Sequence, residues 1–356
     1  MKRHRAVTVA WITFWIGCAG GSSSDADSPK GSPEAPQVVT WLYTRDLLKA
    51  SEFLANAVGL DEVFDGGATE WEGCKVHAGS SRSWFLGVCD IRNAPTSMDE
   101  ASLTVTLVTG GEFGASACLS APECILQPHR QPLPLHFWLC ALCCSPSDGR
   151  AGVDRWYAHL KNSGSRINVT IPAYRSACNC FSFNFYDVAA ISLGNYRFEV
   201  QTFEDPGWPR PPATLALAGS APPAPQQVTW TYTADLPAAT EFLVRTLGLP
   251  MVLDQGHCTV HGVVKSSAFL GVCNSRPAPK ATPPVTYTLV ARSDAGVRDW
   301  HALVSARNAT NATAAALVER FNVYAFEFRD WKHGVLGWYR LSCQNFEDPM
   351  WPRAQA

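Results

Sequence analysis

The residues of this chain whose types and spacing point most specifically to chemistry are four cysteines. Cys74 and Cys89 bracket CKVHAGSSRSWFLGVC, and Cys258 and Cys273 bracket CTVHGVVKSSAFLGVC. Each segment is two apolar stretches joined by a Gly/Ser turn, and the midpoint of each cysteine pair falls inside that turn. A symmetric hairpin register therefore sets the two sulfurs on facing residues. Cross-strand neighbours lie about 4.5 to 5.5 Å apart, within reach of a disulfide after small adjustment. A disulfide in each pair is the expectation, and packed free thiols are the alternative. His77 and His261 occupy matching places in the two segments; imidazole can ligate a metal, but a structural histidine is the simpler reading. Glu199, in YRFEVQTF, has Ser342 as its counterpart in YRLSCQNF, while Gln201 and Gln344 occur in both and share the same strand face. One carboxylate can serve as a general base, but it does not make a metal site. The two glutamines are suited to polar contacts with a ligand.

A second set of chemical residues sits at about 110–147, where Cys118, Cys124, Cys140, Cys143 and Cys144 lie with His129 and His136. Cys140 and Cys143 have the spacing of half a zinc site, but no second half stands at zinc-finger distance. The stretch lacks periodicity, so translated non-coding sequence or a disordered loop is the expectation over metal binding. No Gly-rich phosphate loop, nucleophile elbow, HExxH pair or dinucleotide fingerprint occurs, which argues against nucleotide chemistry and against serine or zinc hydrolysis.

The elements that must position these residues are written twice. QVVTWLYTRDLLKASEFLANAVGL from Gln37 returns as QQVTWTYTADLPAATEFLVRTLGL from Gln226, at a constant spacing of 189 from Tyr43 to Asp65. NYRFEVQTFEDPGWP from Asn195 returns as WYRLSCQNFEDPMWP from Trp338. A period this long means duplicated domains. The spacing changes only inside loops, and the largest change marks 110–147 as an insert that the second copy lacks.

Within a copy, QVVTWLYT alternates as a half-buried strand, with Asp46 or Asp235 at a helix N-cap. Phe53, Leu54 and Val58, or Phe242, Leu243 and Leu247, recur at helical spacing before a terminating Gly59 or Gly248. Three short strands follow, EVFD, CKVHA and WFLGVC, or MVLD, CTVHG and AFLGVC. This β-α-β-β-β unit then begins again in the same copy with LTVTLV or VTYTLV. A helix around AGVDRWYAHL or AGVRDWHAL comes next, and CFSFNFYD or VYAFEFRD and the YRFEVQTF-type strand close the unit. Along the first strand, period two puts Val39, Trp41 and Tyr43 on one face, and likewise Val228, Trp230 and Tyr232. These aromatics either fill the curled sheet as core or line a site for a small organic ligand.

Two such modules per copy, the Asp-Leu helix start, the Gly-Leu helix end and a last strand followed by FEDP resemble the vicinal oxygen chelate superfamily, which includes glyoxalase I, bleomycin-resistance proteins and extradiol dioxygenases. The likeness covers about 37–210, apart from the insert, and 226–353. It implies an α+β fold of tandem domains, each of two βαβββ modules with a curled mixed sheet around a cleft, paired as a single-chain version of a dimer. Metal-dependent members place a His or Gln on the first strand of each module and a Glu or other ligand on each last strand. By that spacing the first-strand positions are Val39 and Val228, and the last-strand positions are Glu199 and Ser342. The expected cofactor is therefore none, with a divalent metal as the alternative.

Length and charge fit two soluble domains: 356 residues with 29 basic and 31 acidic side chains give a net charge of −2, with no electrostatic footprint for nucleic acid. Lys2, Arg3 and Arg5 ahead of the apolar run Ala6–Gly20 read as a signal peptide over 1–20, followed by a polar tether over 21–36. An exported protein is expected. Trp15-Ile16-Gly17-Cys18 resembles a lipoprotein processing site, which would put a lipid anchor at Cys18. Asn168, Asn308 and Asn311 are glycosylation sequons that would matter only in a eukaryotic secretory pathway. A Pro/Ala-rich linker over 211–225 separates the first domain, 37–210, from the second, 226–353. The leading expectation is a metal-independent binding protein contacting a small organic molecule through Trp41, Tyr43, Gln201, Trp230, Tyr232 and Gln344. A lyase, isomerase or dioxygenase using Glu199 is the alternative, and a non-catalytic interaction scaffold is the third reading.

Overall fold

The computed structural model describes residues 33–65, 73–90, 92, 103–109, 148–164, 167–176, 179–188, 193, 196–203, 205, 207–211, 222–274, 285–307, 311–319, 322–328, 340–347, 349 and 351–353. The expected signal peptide with Cys18, the insert with its cysteines and histidines, Asn308 and much of the linker lie outside the described residues.

Four modules follow one another along the chain. The first contains β1 (Gln37–Thr44), α1 (Leu47–Glu52), β2 (Asp61–Asp65), β3 (Cys74–Ala78) and β4 (Trp84–Asp90). The second contains β5 (Thr104–Val108), α2 (Asp148–Asn162), the short β6 (Ile167–Val169) and β7 (Ala173–Arg175), β8 (Cys180–Asp187) and β9 (Arg197–Phe203). The third contains β10 (Gln226–Thr233), α3 (Leu236–Glu241), β11 (Met251–Asp254), β12 (Cys258–Val264) and β13 (Ala268–Asn274). The fourth contains β14 (Val285–Val290), α4 (Asp294–Ala306), β15 (Ala316–Val318), β16 (Val323–Phe328) and β17 (Arg340–Phe346).

The helix starts are local chemistry. Asp46 accepts a hydrogen bond from the Lys49 amide, and Asp235 accepts one from the Ala238 amide, so each caps a first turn. Both helices then widen into a π-helical turn, Phe53–Val58 and Phe242–Thr246, which the apolar spacing does not announce. Gly59 ends the first of these at φ 82°, a left-handed conformation that glycine adopts without strain.

Two sheets result, and they do not follow the two copies. One has the order β15-β16-β17-β14-β1-β4-β3-β2, and the other β11-β12-β13-β10-β5-β9-β8-β6, with β7 paired to β8. Each sheet therefore joins the first module of one copy to the second module of the other, antiparallel at the seam: β1 to β14 and β10 to β5. On either side of the seam the pairing is parallel, β1 with β4 and β14 with β17, β10 with β13 and β5 with β9.

The main hydrophobic core lies on the back faces, where Val38, Leu42, Leu86 and Val88 meet Phe53, Leu54, Phe183, Phe185 and Trp156. Each inner face carries a smaller cluster of its own, one around Val39, Trp41, Tyr43 and Phe85 and the other around Val228, Trp230 and Phe269. The linker is not a bare spacer at its end: Ala224 is buried in the main core, and the Pro223 carbonyl accepts a hydrogen bond from Trp156 Nε1. No described helix is long and apolar enough to cross a membrane.

Candidate functional site

The strand registers lay the relevant residues in rows across each inner face. In the β10/β5 sheet, Phe269, Val228, Thr106 and Glu199 face one another on four adjacent strands. In the β1/β14 sheet the corresponding row is Phe85, Val39, Thr288 and Ser342. Glu199, from the first copy, thus shares its cleft with Trp230 and Tyr232 of the second copy, while Trp41 and Tyr43 share theirs with Ser342 and Gln344. A site built on Glu199 belongs to both copies rather than to the first alone.

Each tryptophan is held flat against the sheet floor. Trp230 pairs in register with Gly271, and a Cβ added at Gly271 would stand 2.2 Å from its ring; Trp41 over Gly87 repeats this at 2.1 Å. The glycine of FLGVC is therefore the space in which the indole lies. On its other side Trp230 Nε1 donates to Thr106 Oγ1 at 2.9 Å, and Thr106 Oγ1 donates to Glu199 Oε2 at 3.1 Å. In the second cleft Trp41 Nε1 donates to Thr288 Oγ1 at 3.0 Å, and that hydroxyl meets Ser342 Oγ at 2.7 Å. Tyr232 pairs with Thr104 at 2.8 Å and Tyr43 with Thr286 at 3.0 Å, and burial raises the pKa of both phenols.

Glutamines and charges complete the faces. Gln201 is buried beside Val108, and Gln344 is half-buried beside Val290. Arg197 Nε donates to Asn184 Oδ1 at 2.9 Å, whereas its counterpart Arg340 is ion-paired to Glu327. Asn184 faces Glu199 in register, and Glu327 faces Ser342. The second cleft thus does contain a carboxylate on its inner face, one strand further out than expected and neutralised by arginine. Sequence comparison at Ser342 alone misses it; the signal was Asn184 against Glu327 in CFSFNFYD and VYAFEFRD.

A further pair of tryptophans, Trp208 and Trp351, belongs to the same inner faces, and its sequence signal is the repeated FEDPxWP motif. Trp208 stacks on Phe203 at 3.9 Å and donates to Gln226 Oε1 at 2.9 Å; Trp351 stacks on Phe346 at 3.7 Å and donates to Gln37 Oε1 at 3.1 Å. In each case the tryptophan of the repeated motif packs into the inner-face cluster at the Gln226 or Gln37 end of the sheet. Tyr232, Thr104 and Arg197 stand toward the opposite end.

Both expected disulfides are present, Cys74–Cys89 and Cys258–Cys273, on directly paired residues of the inner faces. His77 and His261 lie on the back faces, away from the clefts, bonded to Ser51 and Thr259 respectively. Burial pushes both imidazoles down to about 4. Asn168 and Asn311 are exposed.

At the row where a metal would sit, one cleft offers Phe, Val, Thr and Glu and the other Phe, Val, Thr and Ser. Two hydrocarbon side chains and a hydroxyl beside a single carboxylate do not fit the donor set of a divalent ion. Among the described residues no three His, Cys, Asp or Glu side chains gather in a metal-holding group.

No protein-family model and no curated protein matches this chain. Solved structures do. A putative dioxygenase from Bacillus subtilis aligns with a TM-score of 0.54 at 11% identity, covering 90% of this chain and 88% of that one. Glyoxalase I from Zea mays aligns with a TM-score of 0.48 at 10% identity, covering 88% and 92%. The chain has the vicinal oxygen chelate fold: α+β, with two mixed, open sheets.

Proposed function

We propose that this protein is exported and binds a small organic molecule without a metal, on the aromatic inner face of a sheet that both copies build. The observation that carries this reading is the Trp230–Thr106–Glu199 chain. An indole bedded on glycine and fixed through its N–H is a pre-organised apolar floor, and a polar row beside it can orient a ligand. Tyr232 and Gln201 are the further contacts proposed in this cleft, and Trp41, Tyr43 and Gln344 those in the other. Export agrees with two disulfides, which persist in oxidising compartments.

The indole floor, with its N–H committed to Thr106, favours binding over turnover; the second reading has Glu199 act as a general base of a lyase, isomerase or dioxygenase. Metal analysis of the purified, dialysed protein separates the two when combined with calorimetric titration of aromatic ligands. Metal-free protein that binds such ligands supports the proposal. Stoichiometric Ni, Zn, Fe or Mn that disappears in Glu199→Gln overturns it. Metal-free protein that binds no aromatic ligand leaves the scaffold reading in its place.

A further inference from the structure

Charge is distributed differently in the two clefts: among the described residues the β1/β14 inner face holds Arg340 and Glu327, whereas the β10/β5 inner face holds Glu199, Arg197 and, further out on β7, Arg175, which donates to Ser182 Oγ at 2.9 Å. In the β1/β14 cleft Arg340 and Glu327 are ion-paired, so the acid is spent on a partner within the fold. In the β10/β5 cleft the residue facing the acid is Asn184, and its amide oxygen takes Arg197 instead. Arg197 leans toward β8, on the outer side of β9, while Glu199 turns toward Thr106 on β5, the inner side. The two charges diverge across their own strand.

Glu199 is only 7% exposed, makes no ion pair among the described residues, and accepts one hydrogen bond, from Thr106. An ionised carboxylate offers about four acceptor sites, and a buried charge left without a counter-charge is costly unless something pairs with it. Its neighbours on the inner face are Trp230, whose N–H is already committed to Thr106, and Tyr232, whose hydroxyl is committed to Thr104. Burial raises the pKa of the Tyr232 phenol, the Thr104 hydrogen bond and the Arg197 charge lower it, and the Glu199 charge raises it, so both the arginine and the carboxylate act on that ring. Aromatic faces with their polar atoms occupied, beside an under-filled carboxylate, suit a group that is both cationic and able to lie against a π surface.

We infer that the β10/β5 cleft takes a ligand bearing a cationic nitrogen, an ammonium or amidinium on an aromatic or apolar body, with the charge on Glu199 and the body against Trp230 and Tyr232. The β1/β14 cleft, with its acid already paired to Arg340, does not select for positive charge. This inference rests on the reading of the cleft as an organic-ligand site and adds to it the charge of the ligand and the choice of cleft.

The test uses the full chain and three probes of one shape: benzamidine, a cation; benzamide, neutral; and benzoate, an anion. Calorimetry and ligand-observed NMR are expected to give benzamidine an affinity about tenfold or more above benzamide, with benzoate weakest. Glu199→Gln, isosteric and uncharged, is expected to bring benzamidine down to the level of benzamide, while Glu327→Gln in the other cleft leaves it unchanged. The comparison of probes on the unaltered protein stands even where a variant fails to fold. Equal binding of benzamidine and benzamide overturns the inference and leaves the organic-ligand reading intact. Binding of none of the three overturns both.

Discussion

Thr40 and Thr229 share a hydrogen bond of 2.8 Å between their side-chain oxygens, and they are the same residue of the repeat, 189 positions apart. A residue that touches its own equivalent marks a two-fold axis, as at the centre of an isologous dimer. Here the axis runs through the backs of the central strands β1 and β10, within one chain. The match is imperfect next door, where buried Gln227 donates to both threonines while its equivalent is Val38.

Because each sheet is made half from one copy and half from the other, the copies are not expected to fold alone. A fragment of residues 33–211 would present the seam edges of β1 and β5 without their partners, and a fragment of residues 222–353 those of β10 and β14. Unpaired apolar edges drive association. Light scattering and amide NMR on the separate halves should show aggregates or dimers, and mixing should yield a one-to-one complex. Two well-dispersed, monomeric halves would contradict this topology.

Gly271→Ala should destabilise by about 1 to 3 kcal/mol, the usual cost of forcing extra volume into a packed site. The new Cβ would meet the six-membered ring of Trp230 at 2.2 Å, and the ring is pinned on its far side by Thr106. Gly87→Ala should do the same through Trp41. Near-UV circular dichroism and thermal melting read this together: a lower melting temperature with a changed tryptophan signal is expected, and an unchanged signal would mean the indole does not lie where described.

What was legible in the sequence is what the pleat and the hairpin dictate locally. β1 and β10 are unbroken over eight residues, so period two correctly groups Val39, Trp41 and Tyr43, and Val228, Trp230 and Tyr232, on one face. The cysteines were legible for the same reason, since the turn sets which residues face each other. What was not legible is which strand lies on the far side of β1. Its pairing with β14 joins residues as far apart in sequence as Gln37 and Val290 and leaves no trace in the local pattern, so the partnership of Glu199 with Trp230 rather than Trp41 could be read only from the sheet order. Glu327 escaped notice because its charge serves the same face from a neighbouring strand.

His77 and His261 should make the protein lose stability on acidification through a defined window. Burial holds both near 4 in the folded state, against about 6.5 when unfolded. Between those values the unfolded chain binds more protons than the folded one, so stability falls as pH drops from 6.5 toward 4 and is unaffected by these groups above 6.5. Each histidine contributes on the order of 3 kcal/mol at most, from about 1.4 kcal/mol per pH unit. Urea midpoints at pH 7.5 and 4.5 check this. The doubly substituted His77→Gln, His261→Gln protein should lose much less than the parent over that interval, and an identical loss would assign the acid sensitivity to other groups.

The FEDPxWP tryptophans should act as structural anchors of the inner-face clusters, and the two can be graded against each other. Trp208 packs between Phe203 and Phe269 and satisfies Gln226, which in turn donates to the Pro209 carbonyl and so ties the turn down from both ends. Trp351 has the same arrangement with Phe346, Phe85, Gln37 and Pro352. Trp208→Ala should cost about 3 to 5 kcal/mol, as for other buried aromatic truncations. Trp208→Phe keeps the stack and removes only the N–H, so about 1 kcal/mol is expected. Trp351→Ala should cost at least as much as Trp208→Ala, because Trp351 packs against Phe64 as well as Phe85 and Phe346. Chemical denaturation of the three variants reads the order. Equal losses at Trp208→Phe and Trp208→Ala would show that the hydrogen bond to Gln226, not the stack on Phe203, holds the segment in place.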